Sequence, residues 1–136
     1  MTYLIDSDIL LDVVQEDPEW FAWSADTLAE ISEHGTMAIN PIIYAEVSMG
    51  FERIEDMERV LPASDFRRLS LPPEAARMAG ERFMRYRRDG GKRRSPMPNF
   101  LVGAHAAVAG LTLVTRDAGR FRTYFPSVTL VAPENE

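Results

Sequence analysis

The stretch Tyr3-Leu4-Ile5-Asp6-Ser7-Asp8 decides the fold, because an apolar run near the start of the chain ends abruptly in carboxylates. Apolar residues resume at once in Ile9-Leu10-Leu11, so the pattern predicts a buried strand that turns directly into a helix. In open α/β sheets, ligands bind outside the carboxyl ends of the strands, which makes Asp6 the first candidate site residue. Aspartate at this position is also a common helix N-cap, and both interpretations of Asp6 can hold together.

The composition is that of one globular domain over residues 1–136, with 46% hydrophobic and 26% charged residues. The chain has no cysteine, which excludes disulfides and thiolate metal sites. It shows no basic-then-apolar signal at its start, and no apolar run approaches the roughly 18–20 residues needed to span a bilayer. We therefore expect a cytoplasmic protein that does not engage a membrane.

The net charge of −6 is unevenly distributed along the chain. Residues 82–94 carry +6, so the rest of the chain carries −12. The basic residues of this arginine-rich stretch are Arg82, Arg85, Arg87, Arg88, Lys92, Arg93 and Arg94. A solvated helix face is the common meaning of such a run, but a basic patch beside an acidic body also suits attraction of a polyanion such as RNA.

Strands and helices alternate along the sequence, which predicts a mostly parallel sheet covered on both faces. The predicted strands are Tyr3–Asp6, Thr36–Ile39, Phe66–Leu71, Leu111–Thr115 and Val128–Val131. The predicted helices are Ile9–Val14, Glu19–Glu33, one opened by Asn40-Pro41, Ile54–Leu61, one beginning at Glu74, and Asn99–Ala109. Small residues in the last helix predict close approach to the sheet.

Three acids are candidates for a shared site. Asp117 follows the strand Leu111–Thr115 just as Asp6 follows the first strand, and Glu46 lies in the apolar helix after Asn40-Pro41. The carboxyl ends of parallel strands share one edge, so Asp6 and Asp117 are expected to converge there, with Glu46 arriving from the helix. Taken alone, a glutamate such as Glu46 more often simply reaches solvent. A lone histidine such as His105 is more often packed than catalytic.

Converging carboxylates repel one another, and the usual remedy is a hard cation with oxygen ligands. Mg²⁺ or Mn²⁺ therefore suits this cysteine-free, histidine-poor chain. Such ions neutralise phosphate, lower the pKa of an attacking water and stabilise the leaving oxygen during phosphodiester hydrolysis.

Together these motifs resemble the PIN-domain ribonucleases, particularly the VapC-type toxins of bacterial toxin–antitoxin pairs. The resemblance covers essentially the whole chain, and the ordered set of motifs is more specific than any one of them. The matching stretches are Leu4-Ile5-Asp6-Ser7-Asp8, Ala45-Glu46, Asn99 to Ala106, and Leu113-Val114-Thr115-Arg116-Asp117 with Phe121.

The resemblance implies an α/β/α sandwich around a central parallel sheet of four or five strands, usually forming a homodimer. It implies cleavage of RNA by metal-activated water, and a cognate antitoxin that inserts a segment into the cleft. By position, Asp6, Glu46 and Asp117 would be the metal-site acids, with Ser7 and Thr115 as nearby hydroxyl groups.

Asn99 departs from the family pattern, which usually has an acid at this position. Asparagine keeps an oxygen able to ligate a cation but lacks the negative charge. The change puts metal affinity and activity in question, and it favours a second hypothesis: a module of the same fold that binds RNA or an antitoxin without cutting. A phosphoreceiver-type domain also clusters acids at strand ends, but it would need a lysine after a late strand, and Lys92 is the only lysine in the chain.

Overall fold

Five short strands form one sheet in the computed structural model, which describes residues 1–91 and 97–134. The strands are β1 (Thr2–Ile5), β2 (Thr36–Ile39), β3 (Phe66–Arg68), β4 (Thr112–Val114) and β5 (Leu130–Val131). The helices of the same residues are α1 (Ser7–Val14), α2 (Phe21–His34), α3 (Pro41–Ser48), α4 (Ile54–Val60), α5 (Pro73–Arg88), α6 (Met97–Ala109) and α7 (Gly119–Arg122).

All strand pairs are parallel, and the strand order is β3-β2-β1-β4-β5. The central strand β1 therefore pairs with both β2 and β4, and the chain changes direction across the sheet between β3 and β4. The gap between β1 and β4 is therefore the topological switch point of the sheet, where open parallel sheets place their ligand sites. In the register, Ile5 lies beside Val114, so Asp6 and Thr115 come next to each other where the two strands end.

Right-handed crossovers assign α1 to α4 to one face of the sheet and α5 to α7 to the other. The helix packing agrees, because α1 contacts α2 and α3, while α6 contacts α5 and α7. The expected α/β/α sandwich with a parallel sheet is thus confirmed, with five strands. None of the helices in the described ranges is long and apolar enough to cross a lipid bilayer.

Local sequence explains where the helices beside the sheet edge begin. Asn40 caps α3, because its side-chain oxygen accepts a hydrogen bond from the Ile43 amide at 2.9 Å, and Pro41 occupies the first helical position. Asp6 caps α1, accepting from the Ser7 amide at 2.9 Å. The capping interpretation of Asp6 is therefore confirmed.

Each predicted element is present, but several have different bounds. β3, β4 and β5 are shorter than predicted, because only residues paired with a neighbouring strand extend the ladder. Helix α6 begins at Met97, so Asn99 lies within its first turn and does not begin it. The prediction for Lys92, Arg93 and Arg94 concerns residues outside the described ranges.

The core is formed by apolar residues of the central strands, such as Leu4, Ile5 and Leu113, and by the helices that cover them. Gly103 of α6 lies against the buried ring of Phe125, and a Cβ atom at Gly103 would lie 2.6 Å from Phe125 Cδ2. The small residue therefore permits close approach to a ring from the segment after α7, as well as the predicted packing of α6 on the sheet.

We predict that Gly103→Ala destabilises the chain by about 1–3 kcal/mol, because the added methyl overpacks against a ring that is itself buried. Gly80→Ala is the matched control: Gly80 lies inside α5, and a Cβ there meets nothing within 4 Å. That control should stabilise by about 0.5–1 kcal/mol through helix propensity. Denaturant unfolding measures both changes, and equal effects of the two substitutions would contradict the packing at Gly103.

Candidate active site

Asp6 is buried at the point where β1 ends, with 2% of its surface exposed. One carboxylate oxygen caps α1 through the Ser7 amide, and the other accepts a hydrogen bond from the Thr115 hydroxyl at 2.9 Å. Burial raises the pKa of Asp6 to about 6, the two hydrogen bonds oppose this, and the charge of Glu46 adds to it. Asp6 is thus a constrained carboxyl group whose proton exchanges below neutral pH.

The Thr115 hydroxyl connects the acids at the sheet edge. Thr115 is fully buried directly after β4, and its Oγ1 lies 2.9 Å from Asp6 Oδ2 and 3.4 Å from Asp8 Oδ2. The same oxygen accepts a hydrogen bond from the Asp117 amide at 3.2 Å. A hydroxyl has one proton to donate, so Asp6 and Asp8 compete for it.

Asp8 is the acid that reasoning from the sequence missed as a site residue, although it was quoted in the first motif. Burial and the neighbouring Asp6 charge raise the pKa of Asp8 to about 7, although Arg116 and Arg120 oppose the shift. Its Oδ1 is buried and has no hydrogen-bond partner among the described residues. Its place in the first turn of α1, two residues after Asp6, is the signal that could have identified it.

Glu46 is half-buried on α3, and its Oε1 accepts a hydrogen bond from the Ser7 hydroxyl at 3.0 Å. Ser7 follows Asp6 directly, so this bond links α3 to the turn after β1. The structure therefore directs Glu46 toward Asp6, whose carboxyl group it affects electrostatically, and the alternative of a glutamate that simply reaches solvent is not observed.

Asp117 follows β4 and pairs with an arginine of α7. Arg120 Nε lies 2.6 Å from Asp117 Oδ2. Both residues line a groove of about 380 Å³ together with Asn99, which is half-buried in the first turn of α6. Tyr86 and Tyr124 contribute aromatic rings to the same groove. The structure thus places Asn99 beside Asp117, while Asp6 and Glu46 meet at the adjoining turn of α1.

Asp12 and Arg116 form a second ion pair, whose charges act on the carboxyl group of Asp8. Asp12, which is 2% exposed on α1, accepts hydrogen bonds from the Ser24 hydroxyl at 2.8 Å and from Arg116 Nε at 2.9 Å. The Arg116 guanidinium also lies 5.7 Å from the centre of the Trp20 ring. Asp12 thus bonds both to Ser24 of α2 and to Arg116 after β4, and these bonds hold α1 and α2 against the turn after β4.

The donor set fits a hard divalent cation. Its groups are carboxylates and hydroxyls, burial raises the pKa of two of the acids, and Asp8 Oδ1 is a buried oxygen with no partner in the described residues. As arranged, no three acidic or histidine side chains in residues 1–91 and 97–134 form a ready metal cage. Asp117 in particular is engaged by Arg120.

His105 is buried on α6, away from these roles. Its Nδ1 lies 3.0 Å from the Asn40 side-chain nitrogen, while the Asn40 oxygen is used to cap α3. The amide nitrogen can only donate, so His105 Nδ1 accepts and the proton sits on Nε2. Burial lowers the pKa of His105, which keeps the ring neutral. His105 is therefore a packed, hydrogen-bonded residue, as its isolation in the sequence suggested.

In the described part of the arginine-rich stretch, some arginines lie over aromatic rings and others are exposed to solvent. Arg82 donates to the Tyr124 carbonyl and lies over the Phe125 ring, and Arg87 lies 6.0 Å from the centre of the Phe83 ring. Arg85 and Arg88 are exposed at the end of α5. This end of α5 adjoins the groove through Tyr86, so its exposed charges lie near the candidate site.

Comparisons with known proteins give the family. A family model described as "PIN domain" matches residues 3–125. No curated protein matches the chain. Among solved structures, the chain is similar to VapBC2 from Rickettsia felis bound to a DNA fragment from their promoter, at 20% identity and a TM-score of 0.73, with 97% of this chain and 98% of that chain covered.

Two further structures have the same fold. VapBC-1 from nontypeable Haemophilus influenzae is 16% identical, with a TM-score of 0.74 and coverage of 97% of this chain and 98% of that one. A toxin-antitoxin complex from Klebsiella pneumoniae is 22% identical, with a TM-score of 0.62 and coverage of 93% and 95%. At these identities the likeness is one of fold. Because the family model spans most of its length, the chain belongs to the PIN domain family.

Proposed function

We propose that this chain is a metal-dependent endoribonuclease toxin of a toxin–antitoxin pair, acting on RNA phosphodiester bonds. The observation that carries the proposal is the hydrogen-bonded convergence of Asp6, Glu46 and the turn that bears Asp117 at one sheet edge, through Ser7 and Thr115. Membership of the PIN domain family and the fold shared with a toxin-antitoxin complex support it.

In this proposal Asp6, Glu46 and Asp117 hold Mg²⁺ or Mn²⁺, with Asp8 as a further acid beside them. A bound ion would neutralise phosphate charge and lower the pKa of an attacking water. The Ser7 and Thr115 hydroxyls orient the carboxylates. Without a metal ion the pKa of Asp8 is about 7, and a cation bound beside its Oδ1 would lower that pKa and favour the carboxylate.

The partners proposed are an RNA substrate, a cognate antitoxin and a second copy of the chain in a homodimer. RNA would lie along the groove beside Asn99 and Asp117, with the exposed arginines at the end of α5 attracting its backbone. The antitoxin would cover the same groove, since a segment placed there blocks access to the acids.

The second candidate function is a non-cleaving module that binds RNA or an antitoxin. Two observations favour it: Asn99 brings no charge to the groove, and Asp117 already has a cationic partner in Arg120. Both hypotheses share the binding surface, and they differ in whether the acids can hold a metal ion tightly enough for hydrolysis.

We predict that Mn²⁺ stabilises the folded chain more at pH 8 than at pH 5. Burial raises the pKa of Asp6 to about 6 and of Asp8 to about 7, from 3.8 in both cases, so the folded state binds more protons than the unfolded state over this range. Without metal, these two groups therefore lower stability as pH rises. At about 100 times its Kd, Mn²⁺ should restore about 2.7 kcal/mol.

Thermal melts at the two pH values, with and without Mn²⁺, measure this difference. The control is the double variant Asp6→Ala with Asp117→Ala, which removes carboxylates from two separate strand ends. Calorimetry that finds unchanged Mn²⁺ binding by this variant would show that the ion binds elsewhere.

We predict that Asn99→Asp tightens Mn²⁺ binding at least about tenfold and raises Mn²⁺-dependent RNA cleavage. A carboxylate in the groove beside Asp117 adds attraction worth several kcal/mol for a divalent ion at an effective dielectric of about 20, before desolvation is subtracted. It should also make expression without an antitoxin toxic, while leaving the fold unchanged.

The matched control is Gln15→Glu, which adds the same charge at an exposed position at the end of α1. Asn99→Ala tests whether loss of the amide alone matters, and neither control should gain activity. A folded Asn99→Asp protein that binds Mn²⁺ no better and cleaves none of a broad panel of RNAs would replace the nuclease proposal with the binding module.

We predict that the arginine-rich stretch guides RNA to the groove. Replacing Arg87, Arg88, Arg93 and Arg94 by glutamine should weaken RNA binding and reduce the dependence of log K on log salt, by about 0.7 per lost contact with single-stranded RNA. The control makes the same charge change at exposed arginines elsewhere: Arg53, Arg59, Arg67 and Arg77. An equal slope for both variants would leave the stretch as a solvated helix face, and adding the antitoxin tests competition for it.

A further inference from the structure

Arg120 is a cation beside the proposed site that has no role in the nuclease proposed above. It lies in the short helix α7, three residues after Asp117, and its Nε is 2.6 Å from Asp117 Oδ2. The two side chains are 35% and 34% exposed, so the pair sits at the wall of the groove and is open to solvent from that side. The charge of Arg120 also acts on the carboxyl groups of Asp6 and Asp8.

The other arginine next to Asp117 behaves differently. Arg116 turns away to the buried Asp12, an acid outside the proposed metal set, and packs near the Trp20 ring. The Arg116–Asp12 ion pair connects α1 to the turn after β4, and neither residue lines the groove. Of these two arginines, Arg120 is therefore the one whose guanidinium engages a proposed metal ligand.

A guanidinium and a divalent cation need the same negative charge, and each repels the other at contact distance. While Asp117 is paired with Arg120 at 2.6 Å, part of its negative charge is already neutralised, and an ion bound to the same carboxylate would be repelled by the guanidinium. The absence of a fourth acidic side chain at Asn99 makes this competition more important, because the groove there offers one carboxylate where the family pattern has two.

We propose that Arg120 is a positioning residue that acts as a built-in cation: it holds the Asp117 carboxylate and competes with a divalent ion for its negative charge. The inference rests on the metal site of the proposed function and deepens it. Metal affinity then depends on the Asp117–Arg120 pair as well as on the number of acids. Removing the positive charge of Arg120 should therefore tighten metal binding, just as adding a negative charge at position 99 should.

The test is Mn²⁺ binding by isothermal titration calorimetry on the full chain, in which no RNA or activity is involved. Arg120→Gln should bind Mn²⁺ about tenfold more tightly than the unaltered protein, and Arg120→Ala should show the same gain. Arg120→Lys keeps the charge and should remain close to the unaltered protein. Arg77→Gln removes an exposed arginine from α5 and should change nothing. The double variant Arg120→Gln with Asp117→Asn should lose the gain, since the carboxylate in dispute is gone.

The possible results separate this inference from the proposed function. Equal or weaker Mn²⁺ binding by folded Arg120→Gln and Arg120→Ala overturns the role of Arg120 while leaving a metal site in place. Tighter binding without any RNA cleavage supports the role of Arg120 and counts against the nuclease. Absence of Mn²⁺ binding in the unaltered protein and in all variants overturns both.

Discussion

The hydrogen bond from the Thr115 hydroxyl to the Asp6 carboxylate joins residues 109 positions apart, and the arrangement of the site depends on it. It exists because β1 and β4 pair in parallel with Ile5 beside Val114, and the Asp6 amide extends that ladder by donating to the Val114 carbonyl at 2.9 Å. Once the register is fixed, it also determines that Asp6 and Thr115, the residues after the two strands, are neighbours. The strand register thereby positions the site, since a slip of one residue would move every side chain of a strand to the opposite face of the sheet.

Bringing carboxylates together in this way opposes folding unless their charge is compensated. Burial raises the pKa of both Asp6 and Asp8, and a neighbouring carboxylate adds to each shift, Glu46 for Asp6 and Asp6 for Asp8. Part of the compensation comes from the α1 N-terminus through the Ser7 amide, and part from Arg116 and Arg120. Incompletely compensated carboxylates of this kind are typical of functional sites, where a bound cation would supply the missing positive charge.

The sequence alone predicted the parts of this arrangement that follow from periodicity and strand order. Asp6 comes directly after an apolar run and Asp117 follows another after two residues, so their position at one edge follows from parallel pairing, and the cap at Asp6 follows from its residue type. Side-chain partners could not be predicted in the same way. Nothing in the spacing determines that Arg120 turns to Asp117 or that Gly103 meets the Phe125 ring, because those choices depend on rotamers and on how α6 and α7 pack together.

The charge balance of the groove links these features to the choice between cutting and merely binding. An acid contributes to metal affinity only to the extent that its charge is free, so counting acids overstates the strength of this site. Asp117 shares its charge with Arg120, and Asn99 contributes an oxygen without a charge. Asp6 and Asp8, by contrast, are held by hydrogen bonds that a cation need not break, since each carboxylate oxygen has a second lone pair. In the proposed site, Asp6 is therefore held by the turns after β1 and β4, whereas Asn99 and Arg120, which set the charge of the groove, lie on α6 and α7.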